Sequence, residues 1–331
     1  MTVDVPSPKG RYWLLTMPRT ASNMLVRILN LDEQAVRPAR HGGYFFFPGM
    51  LARLGLYEKP SEKWTPKDFA IVKEGTQKSF DALQDHLEAA EEEGLKIFVK
   101  EHVSFLNNPY YEQKYAYGKA EDCLLETAQA RGFTQSTRSS LNLTSLPDEF
   151  LTTWYPTFLI RHPALMFSSL YRTAQKGIEM DGKGRSRPEP YEVEATLKFA
   201  RALYEFYSNH FGQDSQWPVV LDADDVIASP EIVIKYAKLV GLDPEKLKFS
   251  WEKVSQDEID KMQSAEKVML STINASTGVD KGKMAGNINI DTEAEKWRTE
   301  FGEEGGNKLE RWVRDAMPDY EYLRSKRLAL G

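Results

Sequence analysis

Short apolar runs alternate along the chain with segments in which apolar residues recur every three or four positions. The runs predict buried strands at 11–17, 96–100, 157–160 and 218–221. The periodic segments predict helices at 23–31, 81–93, 164–174, 191–211, 230–240 and from 293 onward. Because strands and helices alternate, the pattern predicts an α/β fold of three layers, with a central, mainly parallel sheet flanked by helices.

Three stretches interrupt this alternation. The segment 103–150 is a mixed stretch rich in Tyr, Ser and Thr, which is typical of a variable lid or substrate-binding insertion. Residues 177–190 and 278–290 are rich in glycine and charge, which predicts loops. We therefore expect one domain over 1–331, with 291–331 as a C-terminal helical extension.

Composition narrows the class of protein. With 331 residues, 41% hydrophobic and 28% charged, the chain has enough apolar material for a substantial core. The formal net charge of −6 argues against nucleic acid as a partner, so any phosphate must be bound by a local cluster of donors. The single cysteine, Cys123, excludes an intramolecular disulfide.

No apolar run approaches the roughly 20 residues of a membrane span. We expect a cytoplasmic protein. Its oligomeric state is open, with a homodimer among the options.

The first candidate site follows the first strand, at Pro18-Arg19-Thr20-Ala21-Ser22-Asn23. A loop between a buried strand and a helix presents unpaired backbone N–H groups at the positive end of the helix dipole. Small hydroxyl residues and Arg19 make such a loop suitable for an anion. It is not a Walker A loop, because that motif does not occur. Thr20 or Ser22 as an ordinary helix cap is the alternative interpretation.

The second candidate pairs Lys100 with His102 at the end of the 96–100 strand. Residues two apart in a strand point to the same face. A cation beside a base suits proton abstraction next to an anionic leaving group. A histidine that serves only packing or the surface is the alternative.

The third candidate is Arg161, which follows the 157–160 strand, together with Ser169 in the next helix. A guanidinium binds phosphate through two N–H groups, and the serine hydroxyl adds a donor. An arginine paired with a carboxylate is the alternative.

These three segments together resemble the sulfotransferase family. Its first signature has the form P-[KR]-S-G-[ST]-T and is matched by Pro18 to Asn23. Many members carry K-x-H at a strand end, as at Lys100 and His102, and an arginine followed by a serine eight residues later, as at Arg161 and Ser169. The R-H-P form with a later Tyr171-Arg172 resembles the bacterial and fungal branches. The resemblance covers roughly residues 11 to 245, except for the variable stretch.

The chain departs from the family pattern in the first loop. Ala21 replaces the usual glycine and has less freedom to adopt a positive φ. Asn23 replaces a hydroxyl residue. Both changes bear on how well the loop binds its anion. Family members also close over the nucleotide with a late basic loop, a role that Lys281-Gly282-Lys283 is suited to fill.

The resemblance implies a P-loop-NTPase-like sulfotransferase fold and a nucleotide donor, 3′-phosphoadenosine-5′-phosphosulfate (PAPS), which leaves as 3′-phosphoadenosine-5′-phosphate (PAP). It implies that Thr20, Ala21, Ser22, Asn23 and the Arg19 side chain hold the 5′-phosphate, that Arg161 and Ser169 hold the 3′-phosphate, and that Lys281 and Lys283 close over it. His102 is then the base, Lys100 and Arg19 stabilise the developing charge, and no metal is needed. The acceptor is expected to be a small molecule of secondary metabolism, in a pocket with aromatic walls such as Tyr44 to Phe47.

Three other functions stay open at this point. Sulfation can create a leaving group, so that the product is eliminated or cyclised and keeps no sulfate. A kinase or NTPase is disfavoured by the missing Walker lysine. A non-catalytic nucleotide-binding protein with a degenerate site remains because of Ala21 and Asn23.

Overall fold

The computed structural model of the chain describes residues 10–180, 187–262 and 264–330. Within these residues, four parallel strands form one sheet in the order β2-β1-β3-β4. The strands are β1 (Arg11–Thr16), β2 (Ile97–His102), β3 (Tyr155–Ile160) and β4 (Val219–Asp222). This confirms the prediction of a central parallel sheet.

Helices connect and cover the strands. They are α1 (Ser22–Leu29), α2 (Phe47–Arg53), α3 (Pro66–Glu92), α4 (Val103–Leu106), α5 (Pro109–Tyr117), α6 (Asp148–Leu151), α7 (Pro163–Met180), α8 (Lys198–Phe211), α9 (Ala223–Ala228), α10 (Pro230–Leu239), α11 (Gln256–Asp260), α12 (Ser264–Asn274) and α13 (Ile290–Ser325). None of them, in the part of the chain that is described, is long and apolar enough to cross a membrane.

Both faces of the sheet are buried, which explains why the strands are mainly apolar and show no regular alternation of polar residues. Trp13, Val99 and Phe158 face a core that also contains residues of α3, α7, α8 and α13. The residues that follow them in sequence, such as Leu14 and Leu159, face a second core with α1 and α10. The molecule therefore has three layers, and its strands all end at the same edge of the sheet.

Two helices begin far from their predicted starts, and a third ends later than predicted. The helix predicted at 81–93 begins at Pro66, where Thr65 and Asp68 form a capping box. Its first half buries few apolar residues, so the periodicity there was weak. The helix predicted at 191–211 begins only at Lys198, after a separate short turn capped by Tyr191. Of the loop predicted at 177–190, residues 177–180 belong to α7, and 181–186 lie outside the described residues.

Candidate active site

The loop after β1 forms a cradle of backbone N–H groups. The Thr20 hydroxyl donates to the carbonyl oxygen of Met17 at 2.9 Å, which closes the turn. Arg19 and Ala21 both have positive φ, at 69° and 63°. None of the backbone N–H groups of residues 19–23 has a hydrogen-bond acceptor within the described part of the chain. Such a concave run of donors at the start of α1 is suited to an anion.

Ala21 adopts the backbone conformation that the family's usual glycine would favour. A non-glycine residue in the left-handed region costs about 1–2 kcal/mol. A glycine there costs about 0.4–1 kcal/mol through the greater entropy of the unfolded chain. We therefore expect Ala21→Gly to raise the free energy of unfolding by about 0.5–1 kcal/mol in denaturant titrations. Ala39 has φ −133°. The matched change Ala39→Gly should instead lower stability, and the same sign for both variants would contradict this account.

The Lys100 ammonium lies at the base of this cradle. The side chain is 0% exposed. Its Nζ donates to Asn23 Oδ1 and lies 4.2 Å from the centroid of the Tyr44 ring. Burial lowers the pKa of Lys100 to about 7, and the neighbouring Glu101 carboxylate acts in the opposite direction. Asn23, a departure from the family pattern, thus supplies a neutral partner for this ammonium.

The imidazole of His102 lies beside Lys100, on the same face of β2. Its Nδ1 is 2.6 Å from the hydroxyl oxygen of Thr16. The rings of Tyr44 and Phe105 lie 4.7 and 4.8 Å away. Burial, followed by the charges of Lys100 and Arg19, lowers the pKa of His102 well below its ordinary value. Its Nε2 has no hydrogen-bond partner among the described residues and is not fully buried. The ring is therefore held neutral with one nitrogen available.

Glu101 is a buried carboxyl that the sequence analysis did not single out. It points to the opposite face of β2 and accepts hydrogen bonds from the backbone N–H groups of Phe46 at 3.0 Å and His102 at 3.1 Å. Burial raises the pKa of Glu101 to about 8. The hydrogen bond from Phe46 to this carboxyl holds the segment that carries Tyr44 against the end of β2. The signal that would have identified it was an acidic residue between Lys100 and His102, within a strand whose other half is apolar.

Gly43 explains how Tyr44 reaches this position. Gly43 has φ 152°, and a Cβ atom there would lie 2.0 Å from the carbonyl oxygen of Lys100. The Tyr44 N–H donates to that same oxygen at 2.9 Å. The glycine thus allows the backbone to approach β2 closely enough for the Tyr44 ring to contact both Lys100 and His102.

Arg161 joins the third predicted segment to the first. It follows β3, and its Nη1 donates to the carbonyl oxygen of Arg19 at 3.1 Å. The Arg19 Nε donates to Ser169 Oγ at 2.9 Å, and its Nη1 to the carbonyl oxygen of Met269 at 3.0 Å. In this structure Ser169 is thus bonded to Arg19, whereas its predicted place beside Arg161 on a phosphate stays a prediction.

The basic loop 281–283 also lies against Arg161. The Arg161 Nη2 donates to the carbonyl oxygen of Lys283 at 2.7 Å. Asp280 caps the turn by accepting the N–H of Gly282, and Asp224 accepts those of Ala285 and Gly286. The loop therefore lies where a nucleotide-closing segment is expected, while the roles of Lys281 and Lys283 stay predictions.

The electrostatics of the site are those of an anion-binding site. Arg19, Lys100 and Arg161 meet at one edge of the sheet, and none of them forms an ion pair with a carboxylate of the described residues. Burial lowers the pKa of both arginines. Buried cations without counter-ions are costly. A bound anion would remove that cost. Across the described residues, no group of three His, Cys, Asp or Glu side chains is arranged to hold a metal ion.

Comparisons with known proteins identify the class. The chain is 42% identical over 337 residues to "Sulfotransferase ppzF" of Metarhizium rileyi (strain RCEF 4871), which covers 98% of this chain and 97% of that protein. It is 41% identical over 343 residues to "Sulfotransferase ppzF" of Metarhizium majus (strain ARSEF 297), which covers 99% of each. At this identity over nearly the full length, the chain belongs to the sulfotransferase family and is a sulfotransferase.

Family models and solved structures provide two further comparisons. No family model matches the chain. Among solved structures, the "Sulfotransferase Domain from the Synechococcus PCC 7002 Olefin Synthase" aligns with 87% of this chain and 91% of that one, at 14% identity and a TM-score of 0.37.

Proposed function

We propose that this sulfotransferase uses PAPS as its donor and transfers the sulfuryl group to a hydroxyl of a small-molecule acceptor. One observation carries the proposal: Arg19, Lys100 and Arg161 lie together next to the backbone N–H groups of residues 19–23. Among the described residues, none of the three cations pairs with a carboxylate, and none of those N–H groups has an acceptor. A donor with phosphate at both ends of a nucleoside supplies the negative charge that this arrangement lacks.

The residues are suited to hold the donor at two places. The 5′-phosphate is assigned to the N–H groups of residues 19–23 and the Arg19 side chain. The 3′-phosphate is assigned to Arg161 and Ser169, with the 281–283 loop over it. Ser169 Oγ accepts a hydrogen bond from Arg19 Nε in this structure, so the hydroxyl proton can be donated to a phosphate oxygen while that bond is kept.

The transfer then follows from the position of His102. The acceptor hydroxyl oxygen forms a bond to sulfur while the bond from sulfur to the bridging oxygen of PAPS breaks. The electron pair of the broken bond stays on the 5′-phosphate of PAP, where Lys100 and Arg19 stabilise the charge. The hydroxyl proton passes to the imidazole of His102. The neutral state of that imidazole, and the contact of Nε2 with solvent, support this role.

The pH dependence of the reaction tests the role of Lys100. His102 must be neutral and Lys100 protonated, so activity should reach a plateau below neutrality and decline as pH rises. For kcat/KM of PAPS, which reports the free enzyme, the alkaline decline should be centred near the Lys100 pKa of about 7. For kcat it should lie higher, because the bound donor's negative charge stabilises the ammonium.

Lys100→Arg provides the control for this assignment. A guanidinium stays charged throughout the accessible pH range, so the alkaline decline should disappear even though overall activity is reduced. An alkaline decline that keeps its position in Lys100→Arg would mean that another group titrates.

The surroundings of His102 support an apolar or aromatic alcohol or phenol as the acceptor. Tyr44 and Phe105 flank the imidazole, and Phe47 lies 5.6 Å from Phe105 between ring centroids. Apolar walls with one polar reactive group are typical of small-molecule sites.

Mass spectrometry of acceptors incubated with PAPS and the enzyme tests the proposal. A product heavier by one SO₃ group, together with stoichiometric PAP, is expected. PAP release with a product that has lost water would indicate that sulfation activates a leaving group. No PAP release with any hydroxylated acceptor would overturn the proposal.

A further inference from the structure

Thr16 lies at the centre of a short hydrogen-bond chain next to the proposed base. It is the last residue of β1, is 1% exposed, and is paired with His102 in the register of the sheet. Its Oγ1 lies 2.6 Å from His102 Nδ1 and 3.2 Å from the carbonyl oxygen of Glu101. One hydroxyl therefore contacts both the imidazole and a backbone carbonyl.

The number of protons on these three groups determines which of them donates and which accepts in each hydrogen bond. A carbonyl oxygen only accepts, and a threonine hydroxyl has one proton to donate. If that proton points to Nδ1, the hydroxyl and the Glu101 carbonyl face each other as two acceptors. If it points to the carbonyl, both contacts are hydrogen bonds, but Nδ1 must then carry a proton of its own.

We propose that Thr16 is a positioning residue that fixes the His102 imidazole with its proton on Nδ1, so that Nε2 is the atom that accepts the proton of the acceptor hydroxyl. This inference rests on the proposed function of His102 as the base. Which nitrogen of a histidine carries the proton is set by the hydrogen bond that the other nitrogen makes.

The geometry of the ring agrees with this division of roles. Nδ1 is directed at Thr16 on the neighbouring strand, whereas Nε2 has no partner among the described residues and is not fully buried. During transfer, Nε2 receives the proton, while Nδ1 keeps its own and continues to donate to Thr16 Oγ1. The hydroxyl continues to donate to the Glu101 carbonyl, so the chain needs no rearrangement as the imidazole becomes charged.

The tautomer can be measured without any substrate. In protein labelled with ¹⁵N-histidine, the protonated and unprotonated ring nitrogens of a neutral imidazole resonate apart, and His102→Asn assigns the signals of this ring among the five histidines. We expect the wild-type protein to carry the proton on Nδ1. A proton on Nε2 in the wild-type protein would overturn the proposal, and this measurement decides the tautomer even if PAPS proves not to be the donor.

Thr16→Val and Thr16→Ser distinguish the effect of the hydroxyl from the effect of side-chain packing. Valine keeps the β-branched shape that suits a buried strand but removes the hydroxyl. We expect Thr16→Val to lose the preference for one tautomer and to lower kcat by about 10–100-fold, the same size of effect as removing the partner that orients a metal-bound histidine. The KM for the acceptor and the affinity for PAP should stay unchanged. Thr16→Ser should keep the tautomer and most of kcat.

The control is Thr157→Val. Thr157 is a fully buried threonine of β3 in the same sheet, away from the imidazole. Thr157→Val should change neither the tautomer nor kcat, and thermal unfolding of each variant shows whether it is folded. Unchanged turnover in folded Thr16→Val, or equal losses in Thr16→Val and Thr157→Val, would refute the role of the hydroxyl.

Discussion

His102→Ala should lower turnover by about 10²–10⁴-fold, the contribution typical of a positioned base. The imidazole is held neutral by burial and by two nearby cations, and its Nε2 is the nitrogen left available. Removing the ring deletes the group that takes the acceptor's proton, yet leaves the cradle at residues 19–23 and Arg161 in place. Affinity for PAP should therefore stay close to that of the wild-type protein. Steady-state kinetics with saturating PAPS measures the first effect, and calorimetric titration with PAP the second.

The control for this variant is His210→Ala. His210 is an exposed histidine of α8, and its ring packs against that of Phe211. Its replacement should leave turnover unchanged. A folded His102→Ala protein with wild-type turnover would show that the base lies elsewhere.

Arg161→Ala should weaken the binding of PAP by roughly 30-fold or more, which corresponds to about 2 kcal/mol. Arg161 donates to the carbonyl oxygens of Arg19 and Lys283, so it contributes charge and also holds the two predicted phosphate-binding loops together. Its removal should therefore affect binding more than turnover at saturating donor. Equilibrium dialysis with labelled PAP measures the loss.

Arg314→Ala is the matched control. Arg314 is an exposed arginine of α13 that pairs with Asp291 and Glu310. Its replacement should leave PAP affinity unchanged. A similar loss of affinity in both variants would indicate a general effect of net charge and would contradict a specific role for Arg161.

Much of the architecture was predictable because the strands are buried on both faces. Runs such as 11–17 and 157–160 are mainly apolar with no alternation of polar residues, and such runs are typical of parallel strands between two helix layers. The residues at their carboxyl ends then meet at one edge of the sheet, which is why Lys100 and Arg161 could be placed near the first loop. Helix starts were less predictable where a cap, such as Thr65, precedes a polar stretch.

The sequence was less informative about contacts that depend on three dimensions. Glu101 and Thr16 act through a backbone N–H and a backbone carbonyl, and such partners leave no trace in residue spacing. The positive φ of Ala21 was also hidden, because alanine ordinarily indicates the opposite. The position of Ser169 next to Arg19 depends on how α7 packs against the first loop.

The central claim is that one nucleotide is held by phosphates at both of its ends. Calorimetric titration with PAP and with AMP, which lacks the 3′-phosphate, isolates the contribution of the second phosphate. We predict that PAP binds at least about 30-fold more tightly than AMP, and that Arg161→Ala removes most of this preference. Equal affinities for the two nucleotides, or no binding of PAP to the folded wild-type protein, would contradict the claim.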